Sequence, residues 1–571
     1  MPENLVVSTS CGLVRGKIQK DYHGGTFYSF SGIPYAKAPV GELRFKAPKP
    51  AEPWQGTWDG TKEGWESPSV LIPTTFPLGK EDNCLHVNVY TKKINSSNNV
   101  KPVMVYFHGG SYFYGSNRSY LYGPDNLMIE DIVLVVVNFR LGILGFLSLN
   151  DPSLEIPGNA GLKDQVLALK WIQKNIHNFG GDPNNVTIFG ESAGSSSVHL
   201  LVLSPLTKGL FHKAIMQSGC ALNPWAMGRR NAKEVAKLMG YNADMDEKTF
   251  LEKFRKVSAR SIVKAQFKMV DPFFASVIRP FGPVIEYPHD GAFLTEDPEE
   301  IMKSGKFNQI PMIIGYTSNE GLLFETLRKC RSEVYLPKNL EMDIPAFLNI
   351  PEKSDKAKEM AQKIEKYYYR GESISEDNIQ IRYTLFGDII FLQGIQKTIR
   401  LFKKHSSAPI YVYKMTVTSS LNFLKEFSQA TFHNTLVVFT SINYWLRILP
   451  FNPFHKILFS IRNNLPKKAL EGAAHGDDVF YLFSSMLAYD TEKGTKEDFY
   501  IHRFVKLWTN FAKYADPIPT TSDFFNNIKW NQVSDENIDN IFEIGTELRE
   551  TKNLDRERIL FLEKLYEEYA S

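Results

Sequence analysis

Six short apolar runs rich in β-branched residues punctuate the chain: "PVMVYF" (102–107), "IVLVVVNF" (132–139), "VTIF" (186–189), "AIMQ" (214–217), "IPMIIG" (310–315) and "IYVYKM" (410–415). Continuous apolar runs of this length predict strands buried on both faces, with helices covering the sheet they form. Between two of them, residues 163–179 ("KDQVLALKWIQKNIHNF") space Val166, Leu169, Ile172 and Ile176 at helical intervals and stop at Gly180-Gly181. One apolar stripe closed by glycine predicts an amphipathic helix packed on the sheet. The class is α/β. The chain carries no repeat, no low-complexity linker and no break in composition, so residues 1–571 are expected to form one domain with long excursions from the sheet.

At one point the pattern changes abruptly. In "NNVTIFGESAGSSSVHL" (184–200) four strand-forming residues run into Gly-x-Ser-x-Gly and then into small residues suited to a tight helix. Glycines on both sides of one serine mark a sharp strand-to-helix turn, which lifts the hydroxyl of Ser192 out of the backbone at the end of the sheet. A serine hydroxyl is a weak nucleophile at neutral pH and needs a base, which in turn needs a carboxylate to hold its tautomer. Where the nucleophile stands on a Gly-x-Ser-x-Gly elbow of this kind, the chain order is nucleophile, acid, histidine. After the run at 310–315 comes "GYTSNEGLLF", which sets Glu320 at a strand end, where such sheets present functional groups. Of the twelve histidines, His475 stands on a loop of small residues before an apolar helix ("EGAAHGDDVFYLF"), whereas His405, His433, His455 and His502 lie among charged or aromatic neighbours with no turn signal. Glu320 is the expected acid and His475 the expected base.

Acyl transfer also needs donors for the oxyanion. "VYFHGGSYFYG" (105–115) places a glycine loop straight after a strand, and the amide after the nucleophile completes the set, so Gly110, Ser111 and Ala193 are the expected oxyanion hole. Glu191 reads as a buried supporting carboxylate and His199 as a plain helix residue.

Composition narrows the setting. Hydrophobic residues at 43%, charged residues at 23% and a formal charge of +3 are those of an ordinary globular protein, so nucleic acid is not an expected partner. The start of the chain lacks a basic, apolar leader, no run of about 18 apolar residues occurs, and Cys11, Cys84, Cys220 and Cys330 are scattered without metal-ligand or CxxC spacing. The expectation is an intracellular protein with free thiols, with the sequons at Asn95, Asn117 and Asn185 unused. No cofactor or metal is implied.

The chain resembles the type-B carboxylesterases of the cholinesterase-like family, and within them the insect α-esterase group, over nearly its full length. The resemblance rests on "SFSGIPYAKAPVGELRFKAP" (29–48), "EDNCLHVNVY" (81–90), "NFRLGILGFL" (138–147), "PGNAGLKDQVLALKWIQKNI" (157–176), "FGGDPNNVTIFGESAGSSSVHLL" (179–201), "GLFHKAIMQSG" (209–219), "GYTSNEGLLF" and "HGDDVFYLF" (475–483), in the family's order. It implies an α/β-hydrolase fold with a central mixed, mostly parallel sheet. It also implies a serine carboxylesterase acting on lipophilic esters, xenobiotic or fatty-acyl, that reacts with organophosphates. The family's triad falls on Ser192, Glu320 and His475, and its oxyanion hole on Gly110, Ser111 and Ala193. A structural ion pair falls on Arg140 and Asp164, and a position shaping the acyl pocket on Trp225, which also reads as plain core.

The chain departs from the family in several places. The glycine loop ends in Ser111 where a third glycine is usual. No cysteine within residues 60–80 stands ready to pair with Cys84, in keeping with a reducing compartment. Thr74 and Thr75 stand where cholinesterases carry a tryptophan for quaternary ammonium, so choline esters are not expected substrates. Juvenile-hormone esterases have glutamine where this chain has Glu191, which makes that activity a less favoured alternative. The gap from Glu320 to His475 is also long. Residues 421–470 account for the excess and hold nine aromatics and six basic residues against the single acid Glu426. Such a segment suits either a lid over the site or a peripheral contact with membranes or lipid droplets, and the prolines and charges within it prevent a span. The alternative function is a slow or inactive cholinesterase-like protein that sequesters its ligand.

Overall fold

The computed structural model describes residues 5–71, 76–94, 99–230, 232–242, 244–269, 280–329, 340–351, 353–429, 470–488 and 491–569. Thr74, Thr75, Asn95, Cys330 and positions 430–469 of the aromatic, basic segment lie outside the described residues.

The apolar runs form the middle of an 11-stranded sheet. In chain order its strands are β1 (Lys17–Lys20), β2 (Thr26–Pro34), β3 (His86–Thr91), β4 (Lys101–Phe107), β5 (Val133–Val137), β6 (Gly181–Glu191), β7 (Lys213–Gln217), β8 (Met312–Thr317), β9 (Ile410–Met415), β10 (Asn540–Ile544) and β11 (Leu548–Lys552). Their order in space is β11-β10-β9-β8-β7-β6-β4-β5-β3-β2-β1. Strands β4 to β10 pair in parallel, while β1, β2 and β3 at one edge and β11 at the other run antiparallel to their neighbours.

The alternation that the continuous runs concealed is divided between two cores. Val103, Val105 and Phe107 of β4 face one, with Val133, Val135 and Val137 of β5, whereas Met104, Tyr106, Leu134 and Val136 face the other. The first core is closed by helix α1 (Ala160–Asn175), which buries the expected stripe of Val166, Leu169 and Ile172. Ile176, the last member of that stripe, begins a 3₁₀ turn that ends at Gly180 with φ 79°. α1 starts three residues before the predicted helix, at Ala160, and β6 extends the "VTIF" run at both ends. The second core is closed by α5 (Lys496–Tyr514) through Ile501, Phe504, Val505 and Trp508.

The topology also places the site. Strand β5 lies on one side of β4 and β6 on the other, so the connections leave in opposite directions and open a crevice at the carboxyl ends of β4 and β6. In open α/β sheets that switch point is where functional groups gather. Among the described residues no helix is long and apolar enough to cross a membrane. The described cysteines, Cys11, Cys84 and Cys220, are free thiols, and the sequon residue Asn117 is fully buried, its amide donating to the carbonyl of Val136 at 3.1 Å.

Candidate active site

At the end of β6 the chain turns into α2 (Ala193–Leu203) through Ser192, whose φ of 57° and ψ of −121° lie outside the regions that L residues ordinarily adopt. Its amide donates to the Gln217 carbonyl (2.9 Å), and its own carbonyl accepts from Ser196 (2.9 Å) to start the helix. The flanking glycines are required by close approach. A Cβ at Gly194 would stand 2.0 Å from the Phe107 carbonyl oxygen, and one at Gly190 would stand 2.6 Å from that same oxygen. The turn is strained at the serine and leaves no room beside it, which holds Ser192 at the end of the sheet.

The loop after β4 packs directly on this turn. A Cβ at Gly109 would lie 2.6 Å from Glu191 Oε2 and 3.3 Å from Ser192 Cβ. Gly110 takes φ 107°, and its carbonyl accepts from Phe113 (2.9 Å) and Tyr114 (3.1 Å). Ser111 and Tyr112 both have positive φ, 58° and 62°, so the serine occupies a left-handed position that glycine would take without cost. The Tyr112 carbonyl is held by the Gly142 amide at 2.6 Å. Ala193 is the first residue of α2, where helix amides have no partner within the helix.

The loop carrying His475 is tied to the end of β8. The Asn319 amide donates to the Ala473 carbonyl (2.9 Å), the Ala473 amide to Ser318 Oγ (2.8 Å), and the Asn319 side chain to the Glu471 carbonyl (2.9 Å). His475 Nδ1 thereby meets Glu320 Oε2 at 2.5 Å. The other oxygen of Glu320 accepts from the Thr317 amide (2.7 Å) and from Ser218 Oγ (2.6 Å), and the carboxylate is buried. A buried carboxylate with all these donors is fixed in one orientation, and with it the imidazole.

Trp225 is buried, with Nε1 donating to the Ile390 carbonyl at 2.8 Å, and Asn223 donates likewise to the Phe391 carbonyl. Both carbonyls belong to a π-helical turn, Asp388–Leu392, between α3 (Ile379–Gly387) and α4 (Gln393–His405). A π turn frees carbonyls from the regular ladder, and here they hold the Trp225 segment. The same turn sets the Phe391 ring 4.3 Å from that of His475. A Cβ on Gly219 would meet the Ser192 carbonyl oxygen at 2.4 Å and Trp225 Cη2 at 3.2 Å, which puts the tryptophan next to the serine turn.

A carboxylesterase family model matches residues 3–562. The chain belongs to the carboxylesterase family. It is 34% identical over 558 residues to a juvenile hormone esterase of Tribolium castaneum, covering 94% of this chain and 87% of that one. Esterase FE4 of Myzus persicae is 32% identical over 91% of this chain and 86% of its own length, and esterase B1 of Culex pipiens 34% over 90% and 89%. A crystal structure of juvenile hormone esterase from Manduca sexta with OTFP covalently attached aligns with a TM-score of 0.79 at 27% identity, over 99% of this chain and 100% of that one. The resemblance, the α/β-hydrolase fold and the assignment as a carboxylic-ester hydrolase are borne out together.

Three features of this carboxylesterase escaped the sequence reading. Ser218 directly follows β7, and that position at a parallel strand end was the available signal for its bond to Glu320. Phe391 had none. Glu191 was expected only as a buried supporting carboxylate, and its Oε1 lies 3.1 Å from His475 Nε2. Burial pushes the Glu191 carboxyl up to about 8. Burial would lower His475, but the carboxylates of Glu191 and then Glu320 outweigh it and raise the imidazole to about 9. A base must shed its proton before it can accept one, so with His475 in that role the rising limb of a pH–rate profile is expected on the alkaline side of an ordinary histidine. Removing a carboxylate beside it lowers that pKa. In Glu191→Gln the limb is expected to move toward acid by about 1–3 pH units, measured as kcat/KM against pH; an unmoved limb would separate Glu191 from the titration.

Proposed function

We propose that this carboxylesterase cleaves lipophilic carboxylic esters through an acyl-enzyme on Ser192. His475 takes the serine proton and returns it to the departing alcohol, and Glu320 holds the Nδ1–H tautomer and stabilises the imidazolium. The amides of Gly110, Ser111 and Ala193 receive the oxyanion. The observation that carries this reading is the 2.5 Å contact between His475 Nδ1 and buried Glu320 at the mouth of a strained serine turn. Its chemical sense is that a fixed carboxylate, a fixed imidazole and a serine hydroxyl at the end of β6 are the groups that acyl transfer needs.

Trp225, Phe391 and Leu424 supply apolar surface beside the serine and histidine, which supports acyl or alcohol groups that are themselves apolar. Xenobiotic and fatty-acyl esters are the proposed substrates, detoxification is the proposed role, and organophosphates are proposed to phosphorylate Ser192. The unpaired described cysteines support an intracellular location. We also propose that residues 421–470 bring the site to a membrane or lipid-droplet surface. Support for this comes from their composition and from their described start, where Asp477 accepts from the amides of Leu424 (2.9 Å) and Lys425 (3.4 Å) two residues beyond His475.

The second reading is an esterase too slow to turn over, which sequesters toxic esters. It is favoured by the position of His475 between Glu320 and Glu191, which raises the imidazole and opposes its release of a proton. One experiment separates the two. Nitrophenyl esters of increasing acyl length, with juvenile hormone as a further substrate, are followed from the first turnover. Steady turnover with a preference for longer chains is expected. A burst equal to the enzyme concentration followed by a negligible steady state would replace catalysis with sequestration.

A further inference from the structure

Far along the chain from the triad, three ligand-bearing side chains converge where the turn between β1 and β2 meets the first turns of α5. His23 Nε2 and His502 Nε2 stand 2.6 Å apart, and Asp498 Oδ1 lies 3.6 Å from the first and 3.5 Å from the second. The arrangement is built from both sides. Asp21 Oδ1 accepts from the amides of His23 (2.9 Å) and Gly25 (2.8 Å), which fixes the turn, while Tyr22 and Lys493 tie it to the segment before α5 through the carbonyls of Thr491 and His23. On α5, Asp498 and His502 are one turn apart and share a face.

Asp498 is the informative member. The residue is 8% exposed; Oδ2 is occupied by the Gly494 amide at 2.7 Å, and Oδ1 is buried without a hydrogen-bond partner. A buried, unpartnered carboxylate oxygen carries a desolvation cost that a native structure ordinarily relieves. Both imidazoles, by contrast, are only about two-thirds covered, 31% and 33% of their side chains remaining exposed, so a solvated ion can reach them.

We propose that His23, Asp498 and His502 form a site for a divalent transition-metal ion of the zinc class, which pins the β1–β2 turn to α5. Two imidazole nitrogens and one carboxylate oxygen are a borderline-soft set that suits Zn²⁺ and disfavours Ca²⁺ or Mg²⁺. Tetrahedral ligands at about 2.0–2.1 Å from zinc stand about 3.3 Å from one another. The two oxygen-to-nitrogen edges are already near that length. Only the edge between the imidazoles must open, by a small rotation of two partly exposed rings. Three protein ligands leave a fourth position for water. The site lies outside the catalytic residues, and its role is to join parts of the chain separated by more than 470 positions. His23 is too far along the chain from Asp498 and His502 for a motif to join them, and the sequence reading expected no metal in this chain.

The test uses the full-length protein, stripped with chelator and dialysed, with Zn²⁺ alone as ligand and Co²⁺ as its spectroscopic substitute. Expected are one Zn²⁺ per chain, intense visible Co²⁺ bands of four-coordinate geometry, and a thermal midpoint that rises with Zn²⁺ but not with Ca²⁺. His23→Gln, in the turn, and His502→Gln, on the helix, are each expected to weaken Zn²⁺ binding at least tenfold and to abolish the thermal shift, with turnover of a short ester retained as evidence of folding. Equal Zn²⁺ affinity in the wild type and in the His23→Gln/His502→Gln double variant would overturn the site. So would Co²⁺ spectra without four-coordinate bands, leaving a hydrogen bond between the two histidines as the whole of the contact.

Discussion

Ser192→Ala and His475→Ala are each expected to lower kcat for a small ester by about 10⁴–10⁶-fold, and the double variant is expected to be little worse than either. The reason lies in how the three groups depend on one another. Without the hydroxyl there is no nucleophile to deprotonate, so the base has nothing left to contribute. Without the imidazole the hydroxyl keeps its proton, and its position on the turn after β6 no longer helps. What survives in both cases is the oxyanion loop, whose geometry is fixed by contacts independent of the triad, such as the bond from the Gly142 amide to the Tyr112 carbonyl. Glu320→Gln is expected to cost about 10⁴-fold, because the amide can present an N–H to Nδ1 and favour the wrong tautomer. Single-turnover and steady-state kinetics on the four proteins check this. A double variant that loses the product of the single effects would mean that Ser192 and His475 act on different steps.

How far this site was legible depends on where its information lies in the chain. The elbow at Ser192 and the loop at Gly110 are local: a strand period that stops, and small residues where two backbones approach within van der Waals contact. Such features are written in consecutive residues. Glu320 and His475 were reachable through chain order and through their loops. The buried interior strands were equally plain, since a strand covered on both faces must be apolar at every position. The antiparallel strands toward one edge were not. β1 is "KIQK", with every other position exposed, and β2 buries Ser29 and Ser31, so neither shows a continuous apolar run. The π turn at Asp388–Leu392 changes the helical period for five residues only, too few to register against the flanking helices, and that change is what delivers Phe391 to His475. The meeting of Glu191 with Nε2 of His475 is likewise a property of a strand end and a distant loop brought together, and no single stretch encodes it.

Asp164→Ala is expected to destabilise the fold by about 3–5 kcal/mol, a large part of the stability that a domain ordinarily has. Arg140 and Asp164 are 2% and 0% exposed as side chains and meet through two parallel bonds, Nη2 to Oδ1 at 2.6 Å and Nε to Oδ2 at 2.8 Å. The Arg140 amide also donates to Oδ2 at 3.1 Å, and Nη1 reaches the Lys46 carbonyl at 2.8 Å. The aspartate lies on α1 and the arginine follows β5, so the pair joins the covering helix to the segment that anchors the oxyanion loop. Removing the carboxylate strands a buried guanidinium, and that uncompensated charge is the source of the cost. The same reasoning fixes the sign of a control. Arg140→Met/Asp164→Leu removes both charges and should be less destabilising than Asp164→Ala alone, because it leaves no buried charge unpaired, although the Arg140 amide and the Lys46 carbonyl lose a partner. Denaturant midpoints for the three proteins decide it. If the double variant is the least stable, the pair contributes through attraction well beyond its desolvation cost, and the energy lost in Asp164→Ala belongs to the bond itself rather than to the orphaned charge.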